Sequence, residues 1–103
     1  IMDKIKFVEI IPATQKNKKL QAIFYNKDKK KVETIPFGAK GMSDFTIHKD
    51  PKRKQRYLDR HKAREDWTKP NNAGSLSRWI LWNKPTFSAS IQDFRNRFNL
   101  VKM

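Results

Sequence analysis

Residues 52–64, Lys52-Arg53-Lys54-Gln55-Arg56-Tyr57-Leu58-Asp59-Arg60-His61-Lys62-Ala63-Arg64, carry seven cations against one acid. Wound as an α-helix, Arg53, Arg56, Arg60 and Arg64 fall near one face, beside Tyr57. Arginine presents a planar fork of donors that matches phosphate. A row of such forks about one turn apart can track a phosphate backbone. Lys52, Lys54 and Lys62 add field around the row. A charge run can also be a solvated face whose aliphatic stems cover apolar surface. Within the run no acid at i,i+4 spacing offsets the cations, and contact with a polyanion is the favoured reading.

Other residues with chemical potential are fewer. Gly38-Ala39-Lys40-Gly41 has the GxxG spacing of the loop that clamps a nucleic-acid backbone in KH domains. A KH loop joins two helices, whereas this one follows a strand, so it reads as a plain turn that presents Lys40. It is not a P-loop, which needs four residues between its glycines. Tyr57, Trp67, Trp79 and Trp82 could stack on bases. Trp79 and Trp82 sit in the most apolar stretch and read as core, which leaves Trp67 as the exposed ring. His48 and His61 are the only histidines, and there is no cysteine. No metal site is expected from that set. The ten acids are scattered rather than clustered as a metal-dependent nuclease would require. Asp50 reads as a helix cap and Asp59 as a partner for neighbouring cations. No enzyme, cofactor or small-molecule substrate is expected.

The elements that must carry these residues divide the chain. Ile5 to Ile11, Leu20 to Tyr25 and Val32 to Phe37 are rich in β-branched and aromatic residues and are separated by polar turns. Short connections make them an antiparallel meander. The second strand is apolar on both faces and belongs at the centre. Pro36 removes a ladder donor and marks the third strand as an edge. Asp50-Pro51 then starts a helix expected to run to about Asp66. Ser75 or Ser77 is expected to cap a short buried helix through Trp82. Phe87, Ile91, Phe94 and Phe98 recur at helical spacing and form the stripe of a last helix. Ser90 at its start fits a capping box, with Thr86 or Ser88 as other caps. The reading is one α+β domain over 1–103, strand-rich in 1–37 and helical in 50–98: a three-stranded meander with about three helices on one face.

Charge decides the broad class. Twenty-four Lys and Arg against ten Asp and Glu give a net charge of +14 over 103 residues. All seven Arg lie after residue 50, and the earlier basic residues are all Lys. Lys is a hydrated point charge, so the first part uses its charge diffusely and the second uses it for specific contacts. Without cysteine, a disulfide scaffold and Cys-ligated metals are excluded. Trp79-Ile80-Leu81-Trp82 is far too short for a membrane span. The opening Ile1-Met2-Asp3-Lys4-Ile5-Lys6 has charges where a signal peptide needs apolar residues. An intracellular or particle-packaged protein is expected, not a secreted one.

From Phe37 onward the chain resembles a family of small basic proteins of giant DNA viruses (relatives of phycodnaviruses and mimiviruses) and algae. The resemblance rests on Ser43-Asp44-Phe45-Thr46 with His48-Lys49-Asp50, and on Arg56-Tyr57-Leu58 with Arg60-His61. Trp67 and Leu76-Ser77-Arg78-Trp79-Ile80-Leu81-Trp82-Asn83-Lys84-Pro85 follow, then Ser90-Ile91, Asp93-Phe94 and Arg97-Phe98. It implies viral or algal origin, a virion or intracellular location, and no catalytic or binding residue. The leading expectation is non-enzymatic binding of nucleic acid, DNA ahead of RNA, with weak sequence preference and contacts to about six to eight phosphates. The second is a minor capsid or cement protein whose positive surface docks on acidic capsid subunits with an exposed Trp or Phe as anchor; it expects apolar residues exposed at the termini, such as Leu100, Val101 and Met103.

Overall fold

The three strand-forming runs become β1 (Ile5–Pro12), β2 (Lys18–Asn26) and β3 (Lys31–Ala39) in the computed structural model, which describes residues 4–103. Ile1, Met2 and Asp3 of the opening stretch lie outside the described residues. β2 pairs antiparallel with both neighbours, with Phe24 opposite Val8 on one side and Leu20 opposite Phe37 on the other. The sheet order is β3-β2-β1-β4, so β3 with its Pro36 is an edge as expected. The fourth strand, β4 (Val101–Lys102), was not foreseen. It pairs parallel with Phe7 and Val8, and its two residues are too few to read as a strand.

One face of the sheet carries the core. Val8, Ala22, Phe24 and Phe37 point at the helices and meet Leu76, Ile80, Leu81, Phe94 and Leu100. Strands first and helices on one face is the α+β arrangement. Four helical segments follow the sheet: α1 (Phe45–His48), α2 (Pro51–His61), α3 (Ala73–Leu76) and α4 (Phe87–Arg97). α3 runs straight into a π-helical turn, Ser77–Leu81, closed by Trp82 N–H donating to Ser77 O at 3.0 Å. The wider turn brings Leu76, Ile80 and Leu81 inward together. Leu81 meets β3 at Gly38, whose φ is +79°; a Cβ there would lie 2.9 Å from Leu81 Cδ1. Only glycine suits both that conformation and that approach.

Several boundaries differ from the sequence reading. α2 begins as expected, with Asp50 accepting from Lys52 N–H at 2.9 Å and Pro51 at the first helical position. It stops at His61 rather than Asp66, where Arg64 N–H turns back to His61 O. Asn72, not Ser75 or Ser77, caps α3, accepting from Ser75 N–H at 2.7 Å. Thr86 caps α4. Ser90 is instead fully buried, and its hydroxyl accepts from Lys84 N–H at 3.0 Å. The α4 stripe holds at Phe94, which is fully enclosed, and partly at Ile91 and Phe98. It fails at Phe87, which is 38% exposed because the first turn of α4 overhangs an open groove beside β1. Leu100 closes the core in its place. No helix among the described residues is long and apolar enough to cross a membrane.

Candidate nucleic-acid interface

α2 is fastened to the body along one side only. On a helical projection, Lys54, Tyr57, Leu58 and His61 share an arc of about 100°. Tyr57 in that arc is buried, and Lys54, Leu58 and His61 are partly so. Arg53, Arg56 and Arg60 fall within about 60° of one another on the adjoining, outer side. All three are exposed, as is Lys52. The salt bridges among the described residues are Lys19–Asp44, His61–Glu65, Lys62–Asp59 and Arg97–Asp93. None involves Arg53, Arg56 or Arg60, so their forks face solvent without an acid partner.

Four of the other expected contacts are placed differently. Lys54 turns inward: its ammonium donates to Asn83 O at 2.7 Å and lies 5.0 Å above the Phe45 ring. Burial holds its pKa below the usual lysine value, with Arg78 and Lys84 adding to the shift. It is a clasp between α2 and the segment before α4, not a phosphate contact. Arg64 lies in the turn beyond α2, off the arginine row. Lys62 sits 3.7 Å from Asp59, an exposed pair of small energetic weight. Lys40 is exposed after β3, and its N–H donates to Asn17 O, on the far side of a cleft from α2.

The seat of α2 is an aromatic column drawn from three separate segments. Tyr57 stacks on Trp82 at 4.2 Å with the rings 2° from parallel, and on His61 at 4.2 Å. His48 lies against Trp82 at 5.3 Å, and Phe45 meets His48 edge-on. Asp50 N–H donates to His48 Nδ1 at 3.0 Å, which orients that ring. At the other end Glu65 brackets two groups: His61 Nδ1 lies 2.8 Å from its Oε2, and Trp67 Nε1 donates to its Oε1 at 2.9 Å. Trp67 is therefore half-buried and pinned rather than the exposed ring expected. Gly74 makes room for the bracket, since a Cβ there would lie 3.0 Å from Glu65 Cδ. The column was not legible as a unit. Its local signals were Tyr57 and His61, four apart, and Phe45 and His48, three apart.

Burial pushes the Tyr57 phenol up to about 12; Glu65 adds to the shift, and Arg78 and Arg60 oppose it. An unfolded tyrosine ionises near ~10, so the fold favours the neutral phenol. The resulting stability is complete below that pH and is lost as pH rises through the folded value, on the order of 2 kcal/mol. Urea unfolding across that alkaline range should show this loss in the parent and a smaller one in Tyr57→Phe. Equal alkaline losses in both proteins would contradict it.

Two further arginines are already engaged. Arg78 Nη1 donates to Trp82 O at 3.0 Å. Its guanidinium lies 4.1 Å from the Trp79 ring centre and 5.4 Å from that of Trp67. Arg97 lies 3.8 Å from the same Trp79 ring. Burial and the neighbouring Arg97 lower the Arg78 pKa, yet arginine stays charged at any physiological pH. These cations hold Trp79 between helices, so Trp79 is packing, as the sequence suggested.

A cleft of about 420 Å³ separates the last turn of α2 from the Lys18–Gly38 end of the sheet. Its walls carry Lys18, Lys19 and Arg60, with Asp44 held by Lys19 Nζ at 2.6 Å. No three His, Asp or Glu converge as metal ligands among the described residues. The arrangement offers an exposed cationic helix face and a cleft at its end.

Comparison with known proteins adds a family. Residues 8–61, from β1 to the end of α2, match the family described as Family of unknown function (DUF5754), and the chain belongs to it. No curated protein and no solved structure matches the chain.

Proposed function

We propose that the protein binds nucleic acid without enzymatic action, DNA in preference to RNA, through the outer face of α2. The observation that supports this reading is the row Arg53, Arg56 and Arg60: exposed, without an acid partner among the described residues, and on a helix whose adjoining side is locked down. Seven residues at 1.5 Å rise make the row about 10 Å long. One strand of duplex offers a phosphate every ~3.4 Å of axis, so the row spans about three. Lys52 at one end and Arg64 just beyond the other bring the count to about four or five phosphates. This is below the six to eight expected from the sequence, because Lys54 faces inward and Lys62 projects from the far side of α2 from the row. With the three arginines taken up by phosphates, Gln55 is the side chain of α2 left to read a base edge, and it donates to Asp59 at 3.0 Å. Sequence preference is accordingly weak. The resemblance to proteins of large DNA viruses fits such a partner, in a virion or an infected cell.

The test is duplex DNA binding at several salt concentrations. The expected log–log slope is roughly −4, from about 0.9 per neutralised phosphate. A flat response, or no binding at low salt, would remove this reading.

A second reading draws on a different place. Met103, 44% exposed, lines the groove under Phe87 with Arg95 and Lys102 and the single acid Glu9, which accepts from Tyr25, while Val101 next in the chain is 43% exposed outside it. Apolar anchors with cations at their rim suit docking on an acidic capsid subunit, as a minor capsid or cement protein would. Leu100 takes no part, being buried in the core. Fractionation of purified particles separates the readings: protein that follows the genome supports the first, and protein that stays with the shell supports the second.

A further inference from the structure

The cleft at the end of α2 has the chemistry of a nucleotide pocket. Its volume of about 420 Å³ lies in the range of small-molecule sites. Two carboxylates line it, and both are already engaged. Asp44 accepts from Lys19 on one oxygen and from Thr46 N–H on the other. Glu65 is held by His61 and Trp67. Lys18, entering from β2, and Arg60, from α2, have no acid partner among the described residues. The free charge of the cleft is therefore positive and sits on two facing walls. Between them stands the end of the aromatic column. Tyr57 has Trp82 against one face and His61 against the other. The His61 ring, with 24% of its side chain exposed, is the last plane of the stack and lines the cleft. Its tilt is fixed by Glu65, so it is a preorganised platform and needs no ordering on binding.

We propose that this cleft receives a single unpaired nucleotide, its base stacked on His61 and its phosphate between Lys18 and Arg60. The proposal rests on the nucleic-acid reading of α2 and extends it: Arg60 belongs to both the row and the cleft, so a strand tracked along α2 runs into the pocket at its end. A continuous duplex cannot present an unstacked base there, whereas a strand end or overhang can. The protein then prefers frayed or overhanging ends to uninterrupted duplex.

The experiment compares a blunt duplex with the same duplex carrying a short 5′-phosphorylated overhang. The overhang should bind about tenfold tighter, the effect of one stacked base. Lys18→Gln should abolish that gain and leave blunt-duplex affinity within about twofold, since Lys18 stands across the cleft from the α2 row. Equal binding of the two duplexes by the parent, or a gain that survives in Lys18→Gln, overturns the pocket and leaves the α2 reading standing. If the parent binds neither duplex, the α2 reading fails, and titration with thymidine 5′-monophosphate decides the pocket by itself. Shifts at the His61 ring protons that Lys18→Gln suppresses support it. An unmoved His61, or shifts that persist in Lys18→Gln, overturn it.

Discussion

Phe94→Ala should lower stability by about 3–5 kcal/mol, the usual loss when a buried aromatic ring is emptied. Phe94 is fully enclosed in the cluster that joins the sheet to the helices, and it meets Phe98 edge-on at 5.2 Å. α4 has eleven residues and would be marginal in isolation, so this contact holds it in place. A chain of this length has a total stability of only ~5–15 kcal/mol. The corresponding fall in Tm is at least about 12 °C for a domain of this size. Near-UV circular dichroism followed through a thermal melt measures it. A variant melting within a degree or two of the parent would show that the ring site is not the keystone described.

Replacing Arg53, Arg56 and Arg60 together with Gln should weaken duplex binding on the order of 10²–10³-fold near 0.1 M salt, if each charge releases about 0.9 counterion. The fold should be untouched. All three side chains are exposed, and such substitutions usually change stability by less than ~0.5 kcal/mol each. Affinity by fluorescence anisotropy and Tm on the same samples make the measurement. Undiminished affinity would move the binding surface elsewhere. A collapsed Tm would show that α2 needs its arginines to fold.

The sheet was largely legible because its information is local. The β-branched and aromatic run Ile5 to Ile11, the two-faced Leu20 to Tyr25 and Pro36 in the third strand give strand, centre and edge from composition alone. The start of α2 was legible for the same reason, from Asp50-Pro51. What escaped depends on residues far apart in the chain. Lys54 looks like one more cation until Asn83 O and the Phe45 ring arrive from either side to hold it. Tyr57 and Trp82 are separated by 25 positions, and no periodicity connects them to His48. Phe87 kept the helical spacing yet stands exposed, since periodicity specifies a face of a helix and not how far the neighbouring sheet extends beneath it. The candidate site was thus half visible. The arginine row followed from helical geometry, and the platform that anchors it came from tertiary packing.

The most direct measurement of the central claim is the salt slope of duplex binding for the parent and for the Arg53, Arg56 and Arg60 triple Gln variant side by side. If these three forks lie on phosphates, the variant's slope is shallower by roughly 2.7, from about 0.9 for each contact removed. Parallel slopes for the two proteins would contradict the account, because the counterions released on binding would then come from charges other than the outer face of α2.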